Sequence, residues 1–461
     1  MFVFYDTETT GTIHEFDQIL QFAAILTDDD LNEIDRINVR CRRLPWVVPA
    51  PMALWITGVH ASQLDDPAYP SFYEMMSGVR KKLEAWPAAI FIGYNSVKFD
   101  EPFLQRAFWQ TLHPPYLTVM NGNARMDLFP LVQAASHLSD GALNYPTTDK
   151  GRRGFKLDQL APLNGFSHDN AHDAISDVEA TIHVAKRVKK GARTLWDHAV
   201  LHAPKRATSS ILELDKPVLV AEHYSAPSVW WGQRIDSDGA KASKAKLLRL
   251  DQDWRALAGL DDEALAKKLF ASPKPLRDIG LNKAPIVYSL DQAKEFWGLS
   301  PSADELEQSN LLLSDRDIAL RVRDVYETAG KDWPEGEHLE QKIFQGFPDH
   351  SDKRLMEKFH TADWVSRAQM VRQFQDVRLQ QLAQRLVYMD APHLLALEER
   401  ARIATSIAER IWSDHENKNL WRTLSAAQAD LKNVLSRDED GRQAEEIKTW
   451  LEELSKRYPI S

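Results

Sequence analysis

Two carboxylates sit two positions apart at the end of an apolar run. The segment FVFYDTETTG (2–11) opens with Phe2, Val3, Phe4 and Tyr5, aromatic and β-branched residues that suit a buried strand. In a strand, residues i and i+2 share a face, so Asp6 and Glu8 aim at one spot while Thr7 points away. Two ionised carboxylates facing each other in a core repel, and each loses hydration. The usual remedies are a shared proton or a bound cation. An all-oxygen donor set favours a hard cation, Mg²⁺ or Mn²⁺. A strand that ends at Tyr5 would instead leave both acids solvated in a turn.

Three further residues join the pair. Asp100 follows a second apolar strand in GYNSVKFDEPF, and DNAHDAISDVEATI carries His172 and Asp177 at the start of a helix. Each has an ordinary use by itself. Asp100 could cap a helix that opens at Glu101, and His172 could be a surface histidine. His168 and His172, four apart, could ligate a transition metal on a helix. His172 and Asp173 could serve a phosphohydrolase of the HD type. These last readings leave Asp6, Glu8 and Asp100 without a purpose, and an HD domain is helical from its start.

The elements that must position these residues read as α/β over residues 1–193. Strand-like runs lie at 2–6, 17–28, 37–44 and 89–95, the first three close enough for an antiparallel meander. Helical runs lie at 101–112, 126–138 and 172–190. In the last, Ala174, Ile175, Val178, Ile182, Ala185 and Val188 recur at helical spacing, and its end is basic, as the helix dipole favours. A boundary falls near HAPKRATSS (202–210). Short strand-like pieces follow at 216–224, 229–235, 244–251 and 284–290, with helical stretches between them. That suits a small β-barrel-type domain with insertions. After about 335 the pattern is helical, with Ile403, Ile407 and Ile411 at i, i+4 and i+8, and reads as antiparallel helices.

The chain of 461 residues, 43% hydrophobic, can supply two or three domains, each with its own core. Its net charge of −10 means that any polyanion-binding surface must be a local patch. The single cysteine, Cys41, excludes an intrachain disulfide, suits a reducing compartment and reads as an inert thiol. No basic start and apolar segment precede the first strand, and no apolar run approaches the ~20 residues of a membrane span. A cytoplasmic protein with no membrane partner is expected. The absence of a P-loop and of GxGxxG argues against a nucleotide-driven motor.

Taken together, DTETTG, N-x-x-x-F-D (Asn95 to Asp100) and H-x-x-x-x-D (His172 to Asp177) resemble the three motifs of the DEDDh 3′→5′ exonuclease superfamily, which has a ribonuclease-H-like fold. Longer segments are similar, in order, to the bacterial exodeoxyribonuclease I family: DTETTGTIHEFDQILQFAAILTD, PAPMALWITGVHASQL, FKLDQLAPLNGFSHDNAHDAISDVEATI, LNKAPIVY and KIFQGF. The resemblance implies a ribonuclease-H-like exonuclease domain (1–193), an SH3-like β-barrel domain with helical insertions (194–335) and an all-α C-terminal domain (336–461). It implies a processive 3′→5′ exonuclease on single-stranded DNA that releases 5′-mononucleotides and serves DNA repair and recombination. It further implies Asp6, Glu8, Asp100 and Asp177 as ligands of two Mg²⁺ ions, with Mn²⁺ able to substitute, and His172 as general base. An imidazole titrating near neutrality suits that role, and two cations suit hydrolysis of a phosphodiester. A contact with the C-terminal tail of single-stranded DNA-binding protein is implied as well. A chain that closes over the strand by itself needs no second subunit, so a monomer is expected. The same superfamily contains enzymes acting on RNA 3′ ends; the long chain beyond the first domain favours DNA.

Substrate contacts are expected at Glu8, Leu54, Thr57, Tyr116, Lys156 and Asn170. Leu54 and Thr57, with Ile56 and Gly58, would form a wall against the terminal nucleotide, and Tyr116 and Phe99 could stack on bases. Arg152, Arg153 and Lys156 in GRRGFK, then Lys205, Arg206, Lys241, Lys244 and Lys246, could track phosphates or form a solvated charged face. Three positions depart from the family pattern. Lys156 replaces the arginine of F-R-L, keeping the charge but losing the bidentate fork. Gln105 and Met120 stand where Arg and Trp are usual.

Overall fold

The computed structural model describes residues 1–167, 173–212, 215–223, 227–236, 243–330, 336–415, 417, 419–438 and 441–458. Five strands build the first sheet: β1 (Phe2–Thr9), β2 (Ile19–Thr27), β3 (Glu33–Arg40), β4 (Ile90–Gly93) and β5 (Ala124–Asp127). Their order is β3-β2-β1-β4-β5. β1, β2 and β3 form the expected antiparallel meander, and β4 and β5 join in parallel. The pairing of β4 with β1 covers only Phe2 to Phe4. Beyond Phe4, β1 keeps β2 on one side and is left open on the other.

Helices α1 (Pro51–Thr57), α2 (Phe72–Ala85) and α3 (Asp100–Gln110) cover one face of this sheet. Helices α4 (Leu128–Leu138), α5 (Leu157–Leu163) and α6 (Ala174–Gly191) cover the other. The alternation of β1 sorts its side chains between them. Phe2 and Phe4 pack with α4 to α6, whereas Val3 and Tyr5 pack with α1 to α3. By the same period Asp6 and Glu8 open toward α6, and Thr7 opens toward α3.

Several elements differ from the sequence expectation. β3 spans 33–40 rather than 37–44, because it is an edge strand whose exposed Glu33 and Arg36 and half-buried Asp35 break the apolar pattern. β5 occupies residues expected at the start of a helix. It is four residues long and buried throughout, and its Arg125 and Asp127 disguise it. α3 starts at Asp100 itself, so Asp100 is not its cap. α1, α2 and α5 add three helices to those predicted.

The second sheet contains β6 (Val218–His223), β7 (Pro227–Arg234), β8 (Lys244–Arg249), β9 (Leu276–Gly280) and β10 (Ile286–Ser289). All pairs are antiparallel, in the order β10-β6-β7-β8-β9, and β9 is an addition to the predicted pieces. The C-terminal region is helical, as expected, with long helices at Val377–Asp390, Leu397–Trp412, Leu424–Leu435 and Arg442–Arg457. No helix among the described residues is long and apolar enough to cross a membrane.

Two buried clusters cross from the first sheet into later parts of the chain. The face of the first sheet that carries Phe2 and Phe4 runs on, through α4 and α6, to Leu219, Trp231 and Tyr288 of the second sheet. The opposite face runs on to Ile411, Leu424, Leu431 and Leu454 of the C-terminal helices. The second sheet also keeps a cluster of its own, around Val220, Trp230, Leu247 and Val287. Each face of the first sheet is finished by a different later part of the chain, which fixes the frame around the end of β1.

Candidate active site

Asp6, Glu8 and Asp177 come together where β1 leaves the sheet. Each offers a carboxylate oxygen within 4.8 Å of the other two. Glu8 is buried, and Asp6 and Asp177 are half-buried. The strand period aims the first two at α6, and α6 packs along β1 and β2 to deliver Asp177 from its first turn. Burial raises the Asp6 carboxyl well above the usual range, with Asp100, Glu8 and Asp177 adding repulsion. Glu8 is raised for the same reasons, burial first and then Asp177 and Asp100, against a small opposing effect of Arg40.

Asp100 stands beside this group rather than within it. Its Oδ1 accepts the backbone N–H of Thr7 at 3.1 Å and the Thr7 hydroxyl at 2.6 Å. These bonds fill the place that β4 would have taken along the open edge of β1. Burial pushes the Asp100 carboxyl up to about 7, and the bonds from Thr7 oppose that rise.

The turn leading to Asp100 is held from β5. Asp127 accepts N–H bonds from Asn95 at 2.8 Å, Val97 at 3.1 Å and Phe129 at 3.0 Å. Asn95 adopts φ +65°, a conformation that asparagine tolerates. Gly93 is required by space, since a Cβ there would lie 2.4 Å from the Ser96 side chain and 3.0 Å from the Tyr5 carbonyl. Glu101, next to Asp100, is buried and points elsewhere: it accepts the Tyr5 and Thr118 hydroxyls and pairs with Arg125 at 2.7 Å.

The start of α6 is anchored by Asp173. Its carboxylate accepts from Arg40 Nη2 at 2.5 Å and from Gln21 Nε2 at 3.3 Å. Gln21 lies directly opposite Glu8 in the β1–β2 register. The readings of Asp173 as a metal or catalytic partner of His172 gain nothing from this arrangement. His168, Asn170 and His172 lie outside the described residues.

The other expected contacts divide. Leu54 is 1% exposed, its side chain is part of the core, and its carbonyl accepts from Gln443 Nε2 at 2.9 Å. It is a packing residue in this structure, because the amphipathic α1 turns it inward and leaves Ile56 exposed. Thr57 ends the same helix ahead of Gly58 (φ +62°), and its buried hydroxyl has no hydrogen-bond partner among the described residues. Tyr116 is half-buried and meets the exposed ring of Phe347 edge-on, 6.3 Å between centroids. Phe99 packs against Phe103. Gln105 bonds Glu101, and Met120 is exposed.

Lys156 is exposed at the start of α5, on the rim of a groove of about 1240 Å³ that is also lined by Phe129, Lys150, Arg152 and Arg153. Arg153 is tied to Asp140 at 3.3 Å and lies over the Tyr145 ring. Phe155 is buried beside Tyr145 and offers no free face. Of the middle-region cations, Lys246 pairs with Asp278 at 3.1 Å, Lys244 is exposed, and Lys241 lies outside the described residues. Sequence reasoning missed Thr7 as the holder of Asp100, Asp127 as the holder of the turn, and Phe347 beside Tyr116.

The donor set fits a hard divalent cation. Among the described residues neither Asp6 nor Glu8 accepts a hydrogen bond, so two enclosed carboxylates lack any donor. Among the described residues the ligand atoms brought together are all oxygens, the preference of Mg²⁺ and Mn²⁺.

Comparison with known proteins gives two family matches: the exonuclease family over residues 3–185 and the exonuclease I C-terminal domain over residues 337–456. Exodeoxyribonuclease I of Escherichia coli K12 is 25% identical over 383 residues, 77% of this chain and 78% of that protein. Exodeoxyribonuclease I of Haemophilus influenzae is 26% identical over 95% of this chain and 94% of that one. Among solved structures, E. coli exonuclease I in complex with a dA16 oligonucleotide superposes with a TM-score of 0.86 at 21% identity, covering 99% of both chains. Exonuclease I from Methylocaldum szegediense gives the same TM-score at 23% identity over 99% of both chains.

Proposed function

The chain belongs to the exodeoxyribonuclease I family, and we propose on that premise that it removes nucleotides processively from the 3′ end of single-stranded DNA, releasing 5′-mononucleotides. It is a DNA exonuclease. The finer reading is carried by one observation: the carboxylates of Asp6, Glu8 and Asp177 converge at the end of β1, and among the described residues neither Asp6 nor Glu8 accepts a hydrogen bond.

Asp6, Glu8 and Asp177 would hold two Mg²⁺ ions, with Asp100 adding its charge from the flank; such cations would supply charge neutralisation at the phosphate and a lowered pKa for a bound water. Thr7 keeps one Asp100 oxygen turned toward β1, which leaves the other for the site. His172 takes the proton from the attacking water, and Asn170 and Thr57 orient the terminal nucleotide. Lys150, Arg152 and Lys156 draw the phosphate backbone into the groove without reading bases, and Tyr116 with Phe347 offers aromatic faces for unpaired bases. The same reading divides the chain at about 193 and 335. It places the protein in the cytoplasm as a monomer serving DNA repair, in contact with the tail of single-stranded DNA-binding protein.

The test is degradation of end-labelled single-stranded DNA, duplex DNA and RNA with Mg²⁺, for the wild type, Asp6→Ala and His172→Ala. Single-stranded DNA should be shortened by the wild type and spared by both variants. RNA degraded equally well or better would overturn the DNA reading.

A further inference from the structure

An aspartate just ahead of a helix ordinarily accepts an N–H from the first turn. Asp173 stands in that position before α6 and makes no such bond. Its carboxylate goes to the sheet instead, to Arg40 of β3 at 2.5 Å and to Gln21 of β2 at 3.3 Å. Those two partners belong to one row. Glu8 lies directly opposite Gln21 across β1 and β2, and Gln21 lies directly opposite Arg40 across β2 and β3. Residues opposite each other in a sheet share a face, so Glu8, Gln21 and Arg40 all face α6. The row is itself held: Gln21 Nε2 also donates to Asn38 at 2.9 Å, and Arg40 Nη1 donates to Gln63 at 3.4 Å.

One helical turn separates Asp173 from Asp177, and the Asp177 N–H donates to the Asp173 carbonyl at 3.0 Å. The start of α6 therefore meets the row twice, with Asp173 on Gln21 and Arg40 and with Asp177 beside Glu8. Without cations the second meeting is repulsive, since Asp6, Glu8 and Asp177 are all acids. It also falls in the first turn, where N–H groups lack partners within the helix and ends fray. The ion pair of Arg40 with Asp173 holds that turn to the sheet against the repulsion. Another ion pair, Arg36 to Glu179 at 3.1 Å, joins the same strand to the same helix, but it is exposed and lies beyond the first turn of α6.

We infer that Arg40, acting through Asp173, is a positioning residue for the converging carboxylates: it sets the place of Asp177 against Asp6 and Glu8. This rests on the reading of those carboxylates as a divalent-cation site. The edge strand β3, which carries none of the carboxylates, thereby becomes part of the machinery.

The experiment compares the wild type, Arg40→Met, Asp173→Asn, the double variant and Arg36→Met. Mn²⁺ binding is followed by electron paramagnetic resonance, and shortening of 5′-labelled single-stranded DNA is timed at varied Mg²⁺ and DNA concentrations. Arg40→Met and Asp173→Asn should each weaken Mn²⁺ binding about 10-fold, and each should lower kcat with KM for DNA unchanged. The double variant should be no worse than either single one, because one interaction is lost in all three. Arg36→Met should match the wild type. A pure charge effect gives another pattern. Arg40 and Asp173 act with opposite sign on Glu8, so loss of Arg40 would then tighten Mn²⁺ binding while loss of Asp173 weakened it. Opposite shifts, or unchanged Mn²⁺ binding in both single variants, would overturn the inference. So would an equal loss in Arg36→Met, which would mean general docking of the helix, or a raised KM at unchanged kcat, which would make Arg40 a substrate contact. Circular dichroism checks that each variant folds; Asp173→Asn, which keeps the side-chain shape, carries the test if Arg40→Met does not. If the wild type binds Mn²⁺ but shortens no DNA, the nuclease reading fails, and the Mn²⁺ pattern alone decides the role of Arg40. A wild type that binds no Mn²⁺ would overturn both.

Discussion

Thr7 gives both its backbone N–H and its hydroxyl to one oxygen of Asp100, at 3.1 and 2.6 Å. The residue between the two strand carboxylates is therefore no spacer. Because β4 stops pairing at Phe4, the edge of β1 at Thr7 needs another acceptor, and Asp100 at the start of α3 supplies it. Thr7→Val removes the hydroxyl bond and leaves Asp100 less fixed, a loss of about 1–2 kcal/mol. We expect a several-fold higher Mg²⁺ requirement and lower activity, with Thr7→Ser close to the wild type. Titration of nuclease activity with Mg²⁺, alongside melting curves, checks this. Equal Mg²⁺ curves for Thr7→Val and wild type would remove Thr7 from the site.

The parts of this arrangement that could be read in advance are those set by local periodicity. Asp6 and Glu8 share a face because strands alternate, and Asp177 lies on a helix whose apolar spacing is plain. The role of Thr7 depends on where a different strand ends, which no local pattern encodes. β5 escaped notice because a four-residue strand with Arg125 and Asp127 has no period to detect. Leu54 looked available for substrate, but the turn of α1 spends it on a core completed by helices nearly four hundred residues later. The fusion of cores across the chain is likewise a tertiary fact.

Glu340 ties the C-terminal helices together. It is 2% exposed, and its Oε1 meets Arg410 Nη1 at 2.6 Å and Arg385 Nη1 at 3.0 Å. Burial alone would raise its pKa, but Arg385 and Arg410 overcome that and hold it near 2. Glu340→Ala leaves the largely buried Arg410 and the half-buried Arg385 without their shared acid and should cost about 3–5 kcal/mol. Arg410 also lies over the rings of Phe16 and Trp421, so the loss should reach the loop after β1. Urea unfolding checks the size. A change below about 1 kcal/mol would show that the triad contributes little.

Acid should loosen the seam between α3 and the helix at His350–Thr361. His113 and His360 stack at 3.7 Å, with His113 bonded to Ser77, and His360 to Tyr73 and the Leu112 carbonyl. Burial lowers His113 to about 2, with His360 and Arg80 adding to it, and burial lowers His360 to about 4. Both are neutral when folded. The unfolded chain therefore binds more protons below about 6.5, and the stability present above that pH is lost as pH falls toward 4. The shift at His360 corresponds to about 3 kcal/mol at most. Unfolding free energies at pH 8 and pH 5 should differ less in His113→Gln/His360→Gln than in the wild type. The acids at the end of β1 titrate alike in both proteins and cancel in that comparison. An equal pH dependence would contradict the assignment.

Phe347 is 77% exposed against Tyr116, an arrangement that leaves an aromatic face for a base. Phe347→Ala should weaken binding of single-stranded DNA by about 1–3 kcal/mol while leaving melting temperature unchanged. Fluorescence anisotropy with a labelled oligonucleotide reads the first, and calorimetry the second. Undiminished affinity would assign Phe347 no part in substrate binding.

The most direct measurement is Mg²⁺-dependent shortening of 5′-labelled single-stranded DNA by the wild type and by Asp177→Ala. Asp177 is the member of the carboxylate group contributed by α6 rather than by β1. Losing it should remove several kcal/mol of transition-state stabilisation, on the order of a 10³-fold loss of rate, with folding retained and with EDTA silencing the wild type. Asp177→Ala that still shortens DNA at the wild-type rate would contradict the account that these converging carboxylates are the catalytic centre.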